Sequence, residues 1–325
     1  MSVELVGNVP MVAWCPLGLY TVDHVALADL NNIGVPLRSF IEIFGSPEGG
    51  KSTLGYYICG KVTGQGDVVV ADLEANMNPE YALSCFNQSG MVGSLRVIDY
   101  VDKDFEPREH EDIMKELIKA MKDPEVGAVM LDSVGMVTPR TEKAVTDYGT
   151  KKIGARGSLM ADFMRDTVAW LRATQRPKVQ IGINHALQPI GGRGYVTPGG
   201  DTKNYAANVR LRMYRLETMS EGSFCAEVKA EKLKYGGTHK DRKGLVFVIP
   251  NIGVSPEMTA MFDCFQLGLA TRSTTVKMNG KSMGYLEKKF LDGAKNGKKE
   301  IFDPFFEALS IQEMEVSSYD EEGEE

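Results

Sequence analysis

The segment GSPEGGKS, residues 45–52, places two adjacent glycines, a lysine and a hydroxyl group directly after an apolar stretch. This spacing fits the pattern G-x-x-x-x-G-K-[ST], in which backbone N–H groups and a helix N-terminus surround phosphates. Lys51 would reach the terminal phosphates and the Ser52 hydroxyl would ligate Mg²⁺, so the segment predicts a polyphosphate site with its magnesium ion. The predicted phosphate-binding residues are Gly45, Ser46, Pro47, Glu48, Gly49, Gly50, Lys51, Ser52 and Thr53.

Carboxylates at the ends of predicted strands could supply the remaining chemistry. Asp132 ends the apolar run AVMLD. An acid there could hold Mg²⁺ directly or through a water, or it could simply cap a turn. Hydrolysis also needs a group that orients or deprotonates the attacking water. Glu74 ends the run VVVADLE, and spacing alone leaves open whether Glu74 or Asp72 has this role. We expect the strand of Glu74 to lie beside the phosphate-loop strand.

Alternating strand and helix patterns must position these groups. The predicted strands are 39–45, 67–74, 94–100, 127–133 and 178–184, and the predicted helices begin after Lys51 or span 78–88, 110–122 and 155–172. This alternation indicates βαβ units and an α/β fold with a mainly parallel central sheet. Three further strands without intervening helices, at 209–217, 224–234 and 244–250, predict an antiparallel extension of the same sheet.

Two long polar or glycine-rich stretches fit neither pattern. We call residues 138–154 the first loop and residues 185–205 the second loop. Loops of this length inside a compact domain are often functional. Both follow strands whose carboxyl ends should lie at the ligand edge of a parallel sheet. We therefore expect both loops to begin at that edge.

Charge is unevenly distributed along the chain, whose net charge is -7. Seven acids and no Lys or Arg occur from Glu313 to the end, and the other 37 acids match the 37 bases. Such a block predicts a disordered, solvated tail; the alternative is a mobile competitor for a basic groove on the body. Before it, a separate small unit begins near Ser255 and contains a lysine-rich portion at 276–299.

Targeting signals are absent from the sequence. No apolar run approaches the about eighteen residues that cross a bilayer, and the N-terminal residues lack a basic region. We therefore expect a cytoplasmic protein without a membrane partner. The five scattered cysteines have neither zinc-ligand nor disulfide spacing, which suits a reducing compartment.

Several segments occur together in one known family. In chain order they are IEIFGSPEGGKSTL, DLEANMNPEYA, VMLDSVGMVTPRTE, TPGGDTKNYAANVRLRM and EVKAEKLKYGG. Their order and intervals, from about Leu17 to beyond Asn296, resemble the bacterial RecA recombinase family. The resemblance implies a RecA-like P-loop ATPase core at 17–254 after an N-terminal segment at 1–16. It also implies a small α+β C-terminal domain that gathers DNA at 255–311, and the disordered acidic tail would then be 312–325.

The resemblance implies roles at an ATP site. By position, Glu74 matches the catalytic carboxylate that activates water. Tyr81 matches the residue that stacks on adenine, and Asn78 stands where an Asp usually reads the adenine amino group. Asn184 and His185 stand where the family carries Asn-Gln, the sensor of the γ-phosphate, and His185 makes this coupling open to pH.

Two lysines near the end of a predicted strand resemble a pair that acts between subunits. Lys232 and Lys234 match lysines that reach the ATP of the neighbouring subunit, and they join Glu74 and Lys51 as implied catalytic residues. Their i,i+2 spacing places both on one face of a strand. Cations delivered in this way stabilise the transferring phosphoryl group, so hydrolysis would depend on a helical homo-oligomeric filament. In place of the family's N-terminal helix, a strand at 11–15 could add to a neighbour's sheet edge.

The two loops resemble the DNA-binding loops of the family. Cations along a backbone path, with flexible main chain, suit single-stranded DNA. Asp201 replaces an Asn beside the glycine pair and places a negative charge near phosphate. The implied DNA-binding residues are Arg140, Lys151, Lys152, Arg156 and Arg165 with the first loop, and Arg193, Gly199 and Gly200 with the second.

The predicted function is an ATP-dependent DNA recombinase, which is also a DNA-dependent ATPase using ATP and Mg²⁺. It would coat single-stranded DNA as a filament and exchange strands with homologous double-stranded DNA. One alternative on the same core is a ring-forming helicase or translocase, because long loops and a cation acting between subunits suit that as well. Another is a nucleotide-binding regulatory or mediator protein without strand exchange, which the altered sensor at His185 and Asp201 would fit.

Overall fold

The computed structural model describes residues 12–28, 32–64, 66–143, 154–188, 194–235 and 242–322. Within these ranges the strands are β1 (Trp14–Cys15), β2 (Val35–Pro36), β3 (Ser39–Gly45), β4 (Asp67–Asp72), β5 (Leu95–Ile98), β6 (Val126–Asp132), β7 (Val179–His185), β8 (Val209–Thr218), β9 (Phe224–Leu233), β10 (Lys243–Ile249), β11 (Gly253–Val254), β12 (Ala270–Arg272), β13 (Thr275–Met278) and β14 (Lys281–Tyr285). The α-helices are α1 (Lys51–Thr63), α2 (Pro79–Ser89), α3 (His110–Lys122), α4 (Arg140–Lys143), α5 (Ala155–Ala173), α6 (Asp201–Ala206), α7 (Pro256–Gln266), α8 (Asp292–Lys295) and α9 (Asp303–Glu322). None of the described helices combines the length and apolar character needed to cross a membrane.

One large sheet organises most of these elements. Among the described residues it contains nine strands in the order β11-β10-β9-β8-β3-β7-β6-β4-β5. Neighbouring strands from β8 to β5 run parallel. The pairs β8-β9, β9-β10 and β10-β11 are antiparallel. The predicted α/β fold, with a mainly parallel sheet and an antiparallel extension, is confirmed.

The strand order differs from expectation at Glu74. β7 and β6 lie between the phosphate-loop strand β3 and β4, so the expectation that these strands are neighbours is wrong. A right-handed crossover fixes the hand of a connection but not the number of strand positions that it spans. Here α1 crosses two positions that are filled by strands from later in the chain.

Apolar side chains cover both faces of the parallel strands. On one face, Leu54 and Ile58 of α1 belong to the same buried cluster as Ile41 of β3. On the other face, Ile113 and Leu117 of α3 pack in a second cluster with residues of α5. Each fully buried side chain of this size contributes about 1.5–3 kcal/mol. This two-sided burial explains why β3 and β6 are buried along their whole length.

The C-terminal unit packs on the antiparallel end of the sheet. Phe247 of β10 shares one apolar cluster with Phe302 and Phe305. Strands β12, β13 and β14 form a separate antiparallel sheet. The N-terminal segment contacts this unit as well, because Thr21 donates from its backbone N and from Oγ1 to Asp263 of α7, at 3.1 and 2.6 Å.

Secondary structure reaches close to both ends of the described chain. β1 pairs with β2 of the same chain, and the pairing of a strand at 11–15 with a neighbour stays a prediction. α9 continues to Glu322, so the backbone here is helical rather than the disordered tail predicted from residue 312. Buried Phe305 and Leu309 anchor the start of α9. The Glu-rich and Met-containing sequence that follows favours continuation of a helix once it has formed.

Candidate active site and nucleic-acid surface

The phosphate-loop motif forms the turn between β3 and α1. Gly45 ends β3, residues 46–50 form the turn, and Lys51 begins α1. A Cβ atom at Gly45 would overlap the carbonyl oxygen of Met213 on β8, so this position requires glycine. Among the described residues no side chain caps α1, and its first backbone N–H groups can therefore bind phosphate oxygens.

The structure brings Ser52 and Asp132 together beside Lys51. Burial raises the pKa of Asp132, at the end of β6, to about 6, against the opposing effect of a hydrogen bond from Ser52. A buried carboxylate beside a hydroxyl fits Mg²⁺, because the donors are hard oxygens and the ion would favour the charged acid. Lys51 donates from Nζ to the carbonyl oxygen of Ser46 at 2.7 Å, which keeps the ammonium at the loop. Burial lowers the pKa of Lys51.

Glu74 reaches this site from just beyond the end of β4. Its Oε1 lies 3.0 Å from Nε2 of His185, and the register of β3 with β7 places His185 beside Gly45. Burial disfavours the charged carboxylate, but Ser133, His185 and the Lys51 cation outweigh this effect and lower the pKa of Glu74. Glu74 is therefore ionised at neutral pH and can act as a base.

The competing carboxylate, Asp72, has a structural role in this geometry. Its two oxygens accept hydrogen bonds from the backbone N–H groups of Glu74 and Met77, at 3.0 and 2.7 Å. These contacts shape the bend that carries Glu74 towards the phosphate loop. The geometry favours Glu74 over Asp72 for water activation.

An open cleft of about 430 Å³ adjoins the phosphate loop, and it contains the predicted base-binding residues Asn78 and Tyr81. The hydroxyl groups of Tyr81 and Thr53 lie 2.8 Å apart, which ties the aromatic ring to α1. Arg215 also lines the cleft. Its guanidinium lies 4.0 Å from the ring centroid of Phe224, and it donates to the backbone oxygen of Glu48 in the phosphate loop at 2.8 Å.

A buried charge cluster links the phosphate-loop strand to the second loop. Glu42, in the middle of β3, contacts Lys203 at 2.8 Å and Arg210 at 2.6 Å. Asn184 donates from Nδ2 to Glu42 at 2.8 Å and to the carbonyl oxygen of Pro198 at 2.9 Å. Burial disfavours the charge on Glu42, but the two cations outweigh it and lower its pKa. A displacement of Asn184 would therefore reach the second loop through direct contacts.

The glycine pair of the second loop lies near the start of α5. Arg156 donates to the carbonyl oxygen of Gly135 at 3.1 Å. A Cβ atom at Gly200 would lie 3.4 Å from the Cα atom of Gly157. Gly199 has a φ of +100°, which strongly favours glycine. The sequence-predicted glycine pair therefore lies against the helix that follows the first loop.

The other predicted DNA-binding cations are in different settings. Arg140 on α4 pairs with Asp112 at 2.8 Å, and Arg165 on α5 pairs with Asp162. Both pairs are exposed, so phosphate groups can replace these partners at little cost. Lys151, Lys152 and Arg193 lie outside the described residues.

Lys232 and Lys234 contact the C-terminal end of α6. Lys232 donates from Nζ to the carbonyl oxygens of Asn204 and Tyr205, at 2.6 and 3.2 Å. Lys234 donates to the carbonyl oxygen of Ala206 at 3.4 Å. Burial, together with repulsion from Lys234, lowers the pKa of Lys232 to about 8. The Tyr205 side chain is 76% exposed.

Comparison with known proteins identifies the family. The family model described as the RecA N-terminal domain matches residues 15–238. The chain belongs to the RecA family. RecA of Cutibacterium acnes is 25% identical over 295 residues, which cover 87% of this chain and 80% of that protein. RecA of Chloroflexus aggregans (strain MD-66 / DSM 9485) is 27% identical over 247 residues, which cover 74% and 66%. RecA of Tropheryma whipplei (strain Twist) is 24% identical over 310 residues, which cover 93% and 65%.

The matched residues include the phosphate loop and the first and second loops. They also include Lys232 in β9 and Lys234 just after it. Sequence reasoning nevertheless missed Glu42, which accepts a hydrogen bond from Asn184, and the two cations that pair with Glu42, Lys203 and Arg210. One signal was present, because Glu42 is the only charged residue in the apolar run SFIEIFG. A charge in a strand buried on both faces requires a partner. Arg215 in the cleft had no such signal.

Proposed function

We propose that this RecA-family chain is an ATP-dependent DNA recombinase. It forms helical filaments on single-stranded DNA, pairs that strand with homologous duplex DNA and exchanges strands. The observation that carries the proposal is the path from the ATP site to the second loop. Asn184, next to His185, donates to Pro198 in that loop and to Glu42 on the phosphate-loop strand. This path supports a protein in which bound nucleotide changes how the loop meets DNA.

At the ATP site, each residue has a defined task. Lys51 and the N-terminus of α1 would hold the terminal phosphates, and Ser52 with Asp132 would hold Mg²⁺, which when bound would neutralise charge on the phosphate oxygens. Glu74 orients the attacking water and accepts its proton, consistent with its lowered pKa. His185, 3.0 Å from Glu74, connects this carboxylate to the strand that also carries Asn184.

Assembly completes the site. In the filament, Lys232 and Lys234 would turn towards the ATP of the neighbouring subunit and stabilise the transferring phosphoryl group. In the structure both ammonium groups contact carbonyl oxygens at the end of α6, which includes the last residues of the second loop. Hydrolysis and the position of the second loop are then coupled through α6.

DNA binding uses the backbone rather than the bases. Arg156 and the main chain at Gly199 and Gly200 would contact phosphates, together with the remaining predicted cations of both loops. Base edges then stay free for pairing with a second strand. The lysine-rich C-terminal unit would gather duplex DNA, and the acids at the end of α9 would restrain it electrostatically.

Electron microscopy of the full chain with single-stranded DNA, Mg²⁺ and ATPγS, a slowly hydrolysed ATP analogue, tests the proposal. We expect extended helical filaments that are absent without nucleotide and absent with Lys51→Ala. A strand-exchange assay with homologous and unrelated duplex DNA should show exchange only for the homologous pair. Closed rings would favour a helicase or translocase instead. Dispersed monomers that still bind nucleotide would favour a regulatory protein.

A further inference from the structure

The cleft beside the phosphate loop should hold the base of the bound nucleotide. Gly50 and Thr53, at the phosphate loop and the first turn of α1, line the cleft. A nucleotide whose phosphates occupy the loop therefore extends its base into this space. Tyr81 supplies an aromatic side chain for stacking, and two amide side chains, Asn78 and Asn251, also line the cleft.

Helix capping fixes the orientation of the Asn78 amide. Its Oδ1 accepts the backbone N–H of Tyr81 at 3.1 Å, at the first turn of α2. Only an oxygen can accept this hydrogen bond, so the nitrogen is the atom that remains for a ligand. Nδ2 makes no hydrogen bond with any residue that the structure describes, and the side chain is exposed. Asn78 thus presents a hydrogen-bond donor to the cleft.

A hydrogen-bond donor on Asn78 does not select adenine over guanine. Adenine carries a donating amino group at position 6, whereas guanine carries an accepting carbonyl there, and both purines have an accepting N7. An amide donor can pair with guanine O6 or with N7 of either purine, but not with the adenine amino group. A carboxylate would pair with the amino group and repel O6.

The second amide does not restore a preference for adenine. Asn251 has a φ of +62°, in the turn after β10, which an asparagine tolerates. Within the described residues its side chain makes no hydrogen bond. It can therefore rotate to present either its oxygen or its nitrogen to a base.

We propose that the base cleft binds guanine nucleotides as well as adenine nucleotides, and that Asn78 determines this breadth. The inference rests on the proposed use of this site for nucleoside triphosphates. Asn78 is then a specificity-determining residue. Its effect comes from Nδ2, because Oδ1 is used to cap α2.

Competition binding to the full chain tests the inference, with fluorescent MANT-ADP and Mg²⁺ as the probe and ATPγS and GTPγS as competitors. In the wild type we expect the two competitors to differ by less than about threefold, because neither base edge is excluded. Asn78→Asp keeps an oxygen cap of equal quality but replaces the donor by a carboxylate oxygen. We expect it to shift the ratio at least about tenfold towards ATPγS.

A second variant separates the donor from the cap. Asn78→Ser keeps a capping oxygen but replaces the amide donor by a hydroxyl on a shorter side chain, so GTPγS should lose affinity while ATPγS changes little. Asn87→Ala, at an exposed asparagine of α2 that does not line the cleft, is the matched control, for which we expect a ratio within about twofold of the wild type. Thermal unfolding of both Asn78 variants should match the wild type within the small difference among good caps.

The outcomes distinguish the inference from the function on which it rests. A wild-type preference for ATPγS above about tenfold, or an unchanged ratio in Asn78→Asp, overturns the inference and leaves the ATP site intact. Equal binding of the probe to the wild type and to Lys51→Ala would instead contradict the proposed nucleotide site at the phosphate loop. The inference would then fail as well.

Discussion

The second loop and the first loop are attached to the protein in different ways. At the second loop, Lys203 and Glu42 form a fully buried pair that Arg210 completes. At the first loop, Arg140 pairs with Asp112 on the surface. A buried charge that loses its partner cannot regain that energy from water, whereas a surface charge can. The second loop is therefore tied to the phosphate-loop strand, while Arg140 of the first loop can exchange its acidic partner for another anion.

Removing the centre of the buried cluster should have the largest effect. Glu42→Ala leaves two cations without their carboxylate, so we expect a loss of about 3–5 kcal/mol in the free energy of unfolding. Urea denaturation followed by circular dichroism measures this change. The matched control is Glu231→Ala, which removes a partly exposed acid 3.2 Å from Arg212 and should cost less than about 1 kcal/mol. Equal costs for the two variants would contradict the comparison.

Lys232, which contacts α6 at the end of the second loop, tests the comparison through ATPase activity. Lys232→Ala should lower the DNA-stimulated ATPase rate by about a hundredfold or more, because a cation would be missing from the transition state of the neighbouring site. Its pKa is lowered to about 8, so the ammonium loses its proton as the pH rises above that value. The wild-type rate should therefore fall between pH 7 and pH 9. Lys232→Arg keeps the charge, and a rate that still fell over this range in that variant would argue against Lys232.

Ionisation of Asp132 should have a smaller effect, which appears in the pH dependence of Mg²⁺ affinity and of stability. Its folded pKa is about 6 against an ordinary value of 3.8. Affinity for Mg²⁺ with ATP should rise by up to about tenfold per pH unit below pH 6, because the ion needs the charged acid. Without ligand the folded state holds this proton more tightly than the unfolded state. Asp132 therefore makes stability fall as the pH rises from about 4 to 6. Asp132→Asn should flatten both profiles, as measured by titration calorimetry and denaturation.

The surface pair at the first loop should give the smallest change. Asp112→Ala should cost less than about 1 kcal/mol in stability. It should also raise affinity for single-stranded DNA by about twofold, because Arg140 becomes available to phosphate. Fluorescence anisotropy of a labelled oligonucleotide at two salt concentrations measures the affinity. The control Asp123→Ala removes the same charge from a pair with Arg96 at 2.8 Å. An equal gain in DNA affinity in this variant would show that the loss of a negative charge alone, and not the release of Arg140, causes the gain.

Local patterns account for what the sequence could predict. The helix predicted at 110–122 has the bounds of α3, because apolar spacing identifies the buried face of one helix. The phosphate loop follows from its motif and its neighbours in the chain. These predictions depend on residues that are close in sequence.

The missed features depend on residues that meet only in the folded chain. The place of β4 in the sheet depends on β6 and β7, which come later in the sequence. Glu42 meets Arg210 across the pairing of β3 with β8, and it meets Lys203 from α6. The role of Asp72 became clear only when its hydrogen bonds to the backbone near Glu74 were known. No local pattern contains such information.

The contact between Thr21 and Asp263 has a consequence for the time course of synthesis. The two residues are 242 positions apart, yet both the backbone N–H and the hydroxyl of Thr21 bind this one carboxyl group. The ribosome releases the residues around Thr21 long before it adds α7. Until Asp263 has been synthesised and folded, Thr21 lacks this carboxylate partner. A chain that stops before α7 therefore leaves the Thr21 amide and hydroxyl groups without it.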